Sequence, residues 1–280
     1  MKKFLAIIDG FKISKSTIEY SIQLAQAAEA HLVGVFLDDN IYRSFSAYKI
    51  MTTYKDFDKV ISGLDEKDKK KRDAAVVQFQ KACEKAKISF SIHRDKNIAL
   101  QELKHESMFA DLIIINENET LTRIKEHPPT RFIKDLLGDV QCPVLVVPNA
   151  FKAIEKIVLL YDGGPSGLFA IKMFSYLFGN LQDLPVEVLT VKSKLKSNLH
   201  LPDNKLMREF INMHYPKATI TVTSGHIEEQ ITAYLKNHKE NELVVLGAYR
   251  RSELSRLFKT SMADVLMKEL STPLFIAHNQ

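Results

Sequence analysis

The chain has 280 residues, 45% of them apolar and 26% charged, with a formal net charge of +5. This composition excludes a disordered or fibrous chain, and so small a charge excess excludes a strongly basic nucleic-acid arm. Two cysteines, Cys83 and Cys142, are too few for a disulfide framework and fit a reducing compartment, and no run approaches the ~20 apolar residues of a membrane span.

The first apolar run, KFLAIIDG at 3–10, is cut short by Asp9, which leaves no usable signal-peptide core. The expected compartment is the cytoplasm. The run reads as a buried strand closed by an Asp-Gly turn. After it, Ile18, Ile22, Ala25 and Ala28 recur at helical spacing, with Ser16 and Glu19 placed as a capping box. A strand is predicted near 31–38, a helix over about 66–87 on Ala75, Phe79, Ala82 and Ala86, a strand near 88–93 and a helix over 97–108. Two apolar runs follow, ADLIIIN at 110–116 and CPVLVVP at 142–148. The second half opens with KIVLLYDG at 156–163. Pro165 then starts a helix carrying Leu168, Ile171, Phe174 and Phe178. Strands near 185–191 and 218–223 alternate with helices over 201–214 and 226–238, before NELVVLG at 241–247 and TPLFIAH at 272–278. Met207 and Met213, sharing a helix with Leu206 and Phe210, read as core residues.

The two halves repeat one order of elements. KFLAIIDG matches KIVLLYDG, ADLIIIN matches NELVVLG, and CPVLVVP matches TPLFIAH. Continuous apolar strands alternating with helices imply an α/β fold, in which crossover helices cover both faces of a parallel sheet. Each half is then a five-stranded unit, with domains at 1–150 and 151–280. The first half is longer, mostly between Asp39 and Asp65, where Tyr42, Phe45, Tyr48, Tyr54 and Phe57 run into a charged stretch ending at Asp73. The plain reading of that insertion is a lid on its own sheet followed by a solvated helix start, and the alternative is a docking arm for a partner.

Ligands of open parallel sheets sit beyond the carboxyl ends of the strands. The residues placed there are Asp9 and Asp162 after the opening strands and Asn116 and Gly247 after the fourth. An aspartate there either holds a ribose hydroxyl or a magnesium ion, or forms an Asp-Gly turn that caps the next helix; both readings stand. The segment 246–262 is the richest in chemistry. Arg250, Arg251, Arg256 and Lys259 face the single acid Glu253, and a helix opening near Ser261 offers backbone N–H groups at Thr260–Met262 to an anion. Helix capping by Ser261 beside a solvated basic loop is the competing reading.

The strand with Asp-Gly, the strand-final Gly247 followed by RSELSRL at 251–257, the Ser261 helix and the proline-led last strand together resemble the universal stress protein family, in a tandem form spanning the whole chain. The resemblance implies two Rossmann-like (adenine nucleotide alpha hydrolase-like) units. It also implies a stress-response module that is not an enzyme and that binds ATP or AMP, with magnesium if ATP. The nucleotide-binding members' loop, G-x2-G-x9-G-[S/T], falls on Gly247, Arg250, Thr260 and Ser261, so only its first and last positions are kept; side chains at Arg250 and Thr260 restrict the backbone where glycine would not. In the first half the same spacing falls on Asn116, Glu119, Pro129 and Thr130. Glu117, Glu119 and Glu126 make that loop acidic, and Pro128 and Pro129 remove two N–H donors. A nucleotide is therefore expected only in the second half, on Asp162, Val191, Gly247, Arg250, Thr260, Ser261 and Met262. The family also pairs domains through their last strands, which implies an internal pseudo-dimer of Val144–Val147 with Leu274–Ala277, and leaves room for a homodimer.

Two other functions compete. A scaffold that docks an unknown protein partner without nucleotide needs none of the loop glycines. An adenylating or ATP-hydrolysing enzyme finds only a poor match: the Asp162–Gly167 run lacks the leading serine and the internal aspartate of the Ser-Gly-Gly-x-Asp-Ser pyrophosphate loop. No G-x-S-x-G elbow or full phosphate loop occurs, so no catalytic residue is assigned. The nine histidines are scattered without the i, i+4 spacing of a helical zinc pair, and neither a metal nor a nucleic acid is expected.

Overall fold

A computed structural model describes residues 1–37, 43–95, 98–181, 183–193, 200–237, 241–247 and 261–278. The first half runs β1 (Lys3–Ile8), α1 (Lys15–Ala28), β2 (His31–Leu37), α2 (Ala47–Thr53), α3 (Phe57–Ala86), β3 (Phe90–Asp95), α4 (Ala99–Ser107), β4 (Leu112–Asn116), α5 (Arg131–Asp139) and β5 (Val144–Val147). The second half runs β6 (Lys156–Leu160), α6 (Pro165–Leu177), β7 (Val186–Lys192), α7 (Asn204–His214), β8 (Thr219–Ser224), α8 (Ile227–Asn237), β9 (Glu242–Gly247), α9 (Met262–Glu269) and β10 (Leu274–Ala277).

All ten strands form one sheet in the order β3-β2-β1-β4-β5-β10-β9-β6-β7-β8. Every pairing within a half is parallel. Among the described residues the one antiparallel pairing joins the halves, setting Leu274 opposite Val146, Phe275 opposite Leu145 and Ile276 opposite Val144. The two five-stranded sheets predicted from the sequence are thus fused along their last strands. The central strands are apolar throughout because helices cover both faces. One face buries Phe4, Ala6, Leu145, Leu159 and Phe275 under α1, α3, α6 and α7; the other buries Leu5, Ile113, Val146, Val244 and Ile276 under α4, α5, α8 and α9.

The first face crosses the seam. Phe178, fully buried, lies 5.7 Å from Phe4, 5.0 Å from Phe174 and 6.3 Å from Phe275, ring centre to ring centre. Lys2 Nζ donates to the Leu177 carbonyl at 2.5 Å, and the Lys152 N–H donates to the Tyr20 hydroxyl at 3.3 Å.

Three local expectations are corrected. The N-cap of α1 is Ser14, whose hydroxyl accepts from the Thr17 N–H; Ser16 lies inside the helix, buried, and donates to the Pro148 carbonyl at 2.6 Å. The helix predicted over about 66–87 begins earlier, inside the insertion. Helix α3 starts at Phe57, and α2 packs on it, burying Ile50 while Tyr48, Met51 and Tyr54 stay exposed. Finally, α7 buries Met207 and Ile211, but Leu206 and Met213 face outward, so core packing accounts for only one of the two methionines.

Candidate functional site

The parallel registers bring the second half's residues to one edge. Leu160 lies opposite Leu189 and Leu159 opposite Val245, so Asp162, Val191 and Gly247 all emerge at the carboxyl ends of β6, β7 and β9. Helix α9 connects the parallel strands β9 and β10, so its N-terminus opens at the same edge. Asp162 is exposed. Its Oδ1 accepts from the Gly164 N–H at 2.7 Å, which turns the chain into α6, whose N-cap is Gly164 and whose first residue is Pro165. Gly163 has φ +84° and a Cβ there would stand 2.8 Å from Pro202 Cβ, so the 201–203 segment closes over this turn and only glycine fits. Below it, buried Tyr161 has its hydroxyl pushed up, first by burial and then by Asp203 and Asp162.

Gly247 is a packing glycine. A Cβ on it would fall 2.3 Å from the Ser166 carbonyl carbon and 2.5 Å from the Gly167 nitrogen, because the first turn of α6 lies directly on the end of β9. Ser261 caps α9: its hydroxyl accepts from the Ala263 N–H at 3.3 Å, and Asp264 accepts from the Ser261 N–H at 3.3 Å, completing a capping box. Met262 N–H takes no part in that box. An exposed carboxylate beside the end of β7 suits sugar hydroxyls, while the Asp264 carboxylate weakens the helix terminus for an anion. Arg250 and Thr260, with the rest of 248–260, lie outside the described residues. Among the described residues no group of three or more His, Cys, Asp and Glu could hold a metal ion.

The first half has the same aspartate turn and a different filling. Asp9 Oδ1 accepts from the Phe11 N–H at 2.7 Å, as Asp162 does from Gly164, but Asp9 is only 2% exposed. Asn116, where the second half has Gly247, extends its amide to Ser14 Oγ at 3.2 Å and accepts from the Asn118 N–H at 3.0 Å. The loop after β4 folds inward: Glu119 is 6% exposed, and Thr130, the N-cap of α5, donates to the Glu119 carbonyl at 2.5 Å. At the start of α5 the Glu126 carboxylate accepts from the Arg131 N–H at 2.7 Å, so a side chain of the protein holds the place an external anion would take. The sequence marked this loop as acidic but gave no sign that Glu119 is buried.

A second charged cluster escaped the sequence reading. At the opposite, amino-terminal edge of the second half, Lys156 Nζ lies 2.8 Å from Glu187 and 3.2 Å from Glu242, all three nearly buried, and Thr221 and Tyr234 hydroxyls donate to Glu187. Burial alone would lower the Lys156 pKa, but Glu187 and Glu242 outweigh it and hold the ammonium above its ordinary value. Burial likewise acts to raise Glu187, and its bonds to Lys156, Thr221 and Tyr234 reverse the sign. The available signal was a charged residue at the start of each of three otherwise apolar strands.

A helix-covered sheet built from two runs of five parallel strands, joined by one antiparallel pairing among the described strands, defines the class of Rossmann-like α/β proteins. Within it, the chain has the fold of the tandem universal stress proteins. A universal stress protein from Archaeoglobus fulgidus superposes with a TM-score of 0.69 at 13% identity, covering 99% of this chain and 98% of that one. Two Pseudomonas aeruginosa structures, one assigned to the universal stress proteins and one of unknown function, each give a TM-score of 0.63 at 13% identity, covering 99% of this chain and 93% and 92% of theirs. No protein-family model matches the sequence, and no curated protein does. No helix among the described residues is long and apolar enough to cross a membrane.

Proposed function

We propose that this chain is a tandem universal stress protein, divided near residue 150, that acts as a non-enzymatic stress-response module and takes an adenine nucleotide in its second half alone. The observation that carries this reading is the contrast between the two aspartates. Asp162 is open to solvent at the carboxyl edge, whereas Asp9, in the same turn, is buried beneath its own loop. In this reading Asp162 takes the ribose or adenine side of ATP or AMP and the end of β7 at Val191 lines the base. Gly247 admits the first turn of α6, and Arg250, Thr260, Ser261 and Met262 meet the phosphates, with magnesium accompanying ATP. Arg250 supplies the charge that offsets Asp264.

The test is to denature protein purified without added nucleotide, assay what is released, and follow the melting temperature in millimolar ATP and AMP. Released adenine nucleotide, or a rise in melting temperature that Asp162→Ala removes, is the expected result. An empty protein with no shift leaves the partner-docking reading, for which the exposed Tyr48, Met51 and Tyr54 of the insertion offer one apolar surface. Pyrophosphate release from ATP would favour the enzyme reading instead.

A further inference from the structure

The sheet ends in two outer strands, β3 and β8, and the two ends are built differently. An outer strand leaves a row of backbone N–H and C=O groups open to pairing, and charged residues within it keep other chains away. Strand β3 carries His93, Arg94 and Asp95, with Arg94 tied to Asp73 of α3 at 2.7 Å. Strand β8 reads TITVTS from Thr219 to Ser224, six residues without a charge, a proline or a glycine. Among the described residues it pairs only with β7, and Thr219 and Ser224 at its ends are exposed.

The ladder with β7 fixes which groups of β8 are open. The Gly225 N–H donates to the Lys192 carbonyl at 2.8 Å, so the odd-numbered residues of this strand direct their backbone to β7. Ile220, Val222 and Ser224, one residue out of step, direct theirs to the open side. The side chains alternate too. Ile220 and Val222 pack on the core face that α7 covers. Thr221 donates to Glu187, which also accepts from Tyr234 of α8 on the other face.

We infer that β8 pairs antiparallel with β8 of a second copy of this chain, about a two-fold axis at Thr221, joining two sheets into one. Ile220 of one copy then lies opposite Val222 of the other, and Thr219 opposite Thr223. Apolar β-branched pairs fall on one face and threonine pairs on the other, both favourable across antiparallel strands. Each Ile220–Val222 pair exchanges both of its backbone hydrogen bonds, because both residues direct their groups outward. The pairing ends at Ala218, whose N–H already donates to the Tyr215 carbonyl at 2.9 Å. Charge is complementary just beyond the strand: Lys217 of one copy falls opposite Gly225 of the other, where α8 opens with Glu228 and Glu229. A strand that matches its own reverse in shape and charge selects a second copy over an unrelated extended peptide, and a two-fold pairing closes after two chains. This surface is separate from the β5–β10 seam, which lies at the centre of the sheet.

Sedimentation equilibrium of the full chain without nucleotide, from micromolar to submillimolar protein, tests the pairing. The wild type should show a concentration-dependent species of twice the chain mass. Thr219→Lys/Thr223→Lys sets like charges opposite one another at both ends of the pairing, and should raise the dimer dissociation constant by about tenfold or more. Thr219→Lys/Thr223→Glu turns both of those pairs attractive in this register, and should restore the dimer. A wild type that stays monomeric throughout, a dimer that survives the double lysine, or a lysine–glutamate variant as monomeric as the double lysine would each overturn the inference. None of these outcomes depends on whether the second half binds a nucleotide.

Discussion

At the scale of single residues, Lys156 holds together a nearly buried cluster of charges. Its ammonium is the counter-charge for both Glu187 and Glu242 in a nearly dry setting. Removing one member of such a cluster leaves uncompensated buried charge, so Lys156→Met should cost about 3–5 kcal/mol in denaturant unfolding at pH 7. The pH dependence has a definite sign. Glu187 is held below its ordinary value, so its contribution is complete at neutral pH and disappears as pH falls through the acid range. The deficit of Lys156→Met should therefore shrink toward acid pH, as the stranded carboxylates take up protons; a deficit that stays constant from pH 7 to pH 4 would mean the lysine acts through its packing alone. The cysteines are inert by comparison: burial pushes Cys83 and Cys142 each up to about 12, leaving negligible thiolate near neutrality.

At the scale of elements, two glycines separate packing from propensity. Gly247 meets the backbone of α6, and a methyl group there must displace a helix; Gly247→Ala should destabilise by about 1–3 kcal/mol or more. Gly63 lies in the second turn of α3 with nothing within 4 Å of a Cβ, and Gly63→Ala should stabilise by about 0.5–1 kcal/mol. Melting both variants checks the pair, and equal effects would contradict the close approach of α6 to β9. The strands and most helices were legible in the sequence because buried parallel strands are continuously apolar and their crossover helices are periodic. Helix α3 was legible only from its periodic part: before about residue 66 it buries no residue, and the preceding chain is tied to its interior by polar bonds, such as Ser44 N–H to Asp68 at 2.9 Å. The cap of α1 was misplaced by two residues because Ser14 and Ser16 are chemically equal in the sequence, and only the fold sends Ser16 to the Pro148 carbonyl. At the site, Asp162 and Gly247 were legible as strand-end residues. Burial of Glu119 was not, because it depends on a loop folding back onto β1.

At the scale of the whole molecule, the duplication matters because the halves share a core. The β5–β10 pairing and the aromatic cluster of Phe4, Phe174, Phe178 and Phe275 cross the junction, so neither half keeps its interior if the other unfolds. The wild type should unfold in a single transition. Phe178→Ala should lower stability by about 3–5 kcal/mol, and two separate transitions in calorimetry of the wild type would contradict the shared core. The two halves also differ at their strand ends. In the first half Asp9 and Glu119 are buried beneath the loop after β4, while the second half keeps Asp162 open to solvent. The measurement that bears most directly on this division of labour is the stoichiometry of ATP or AMP binding to the full chain by calorimetric titration, on wild type, Asp162→Ala and Asp9→Asn. The account predicts one nucleotide per chain, lost in Asp162→Ala and kept in Asp9→Asn. Two per chain, none, or binding that survives in Asp162→Ala would contradict it.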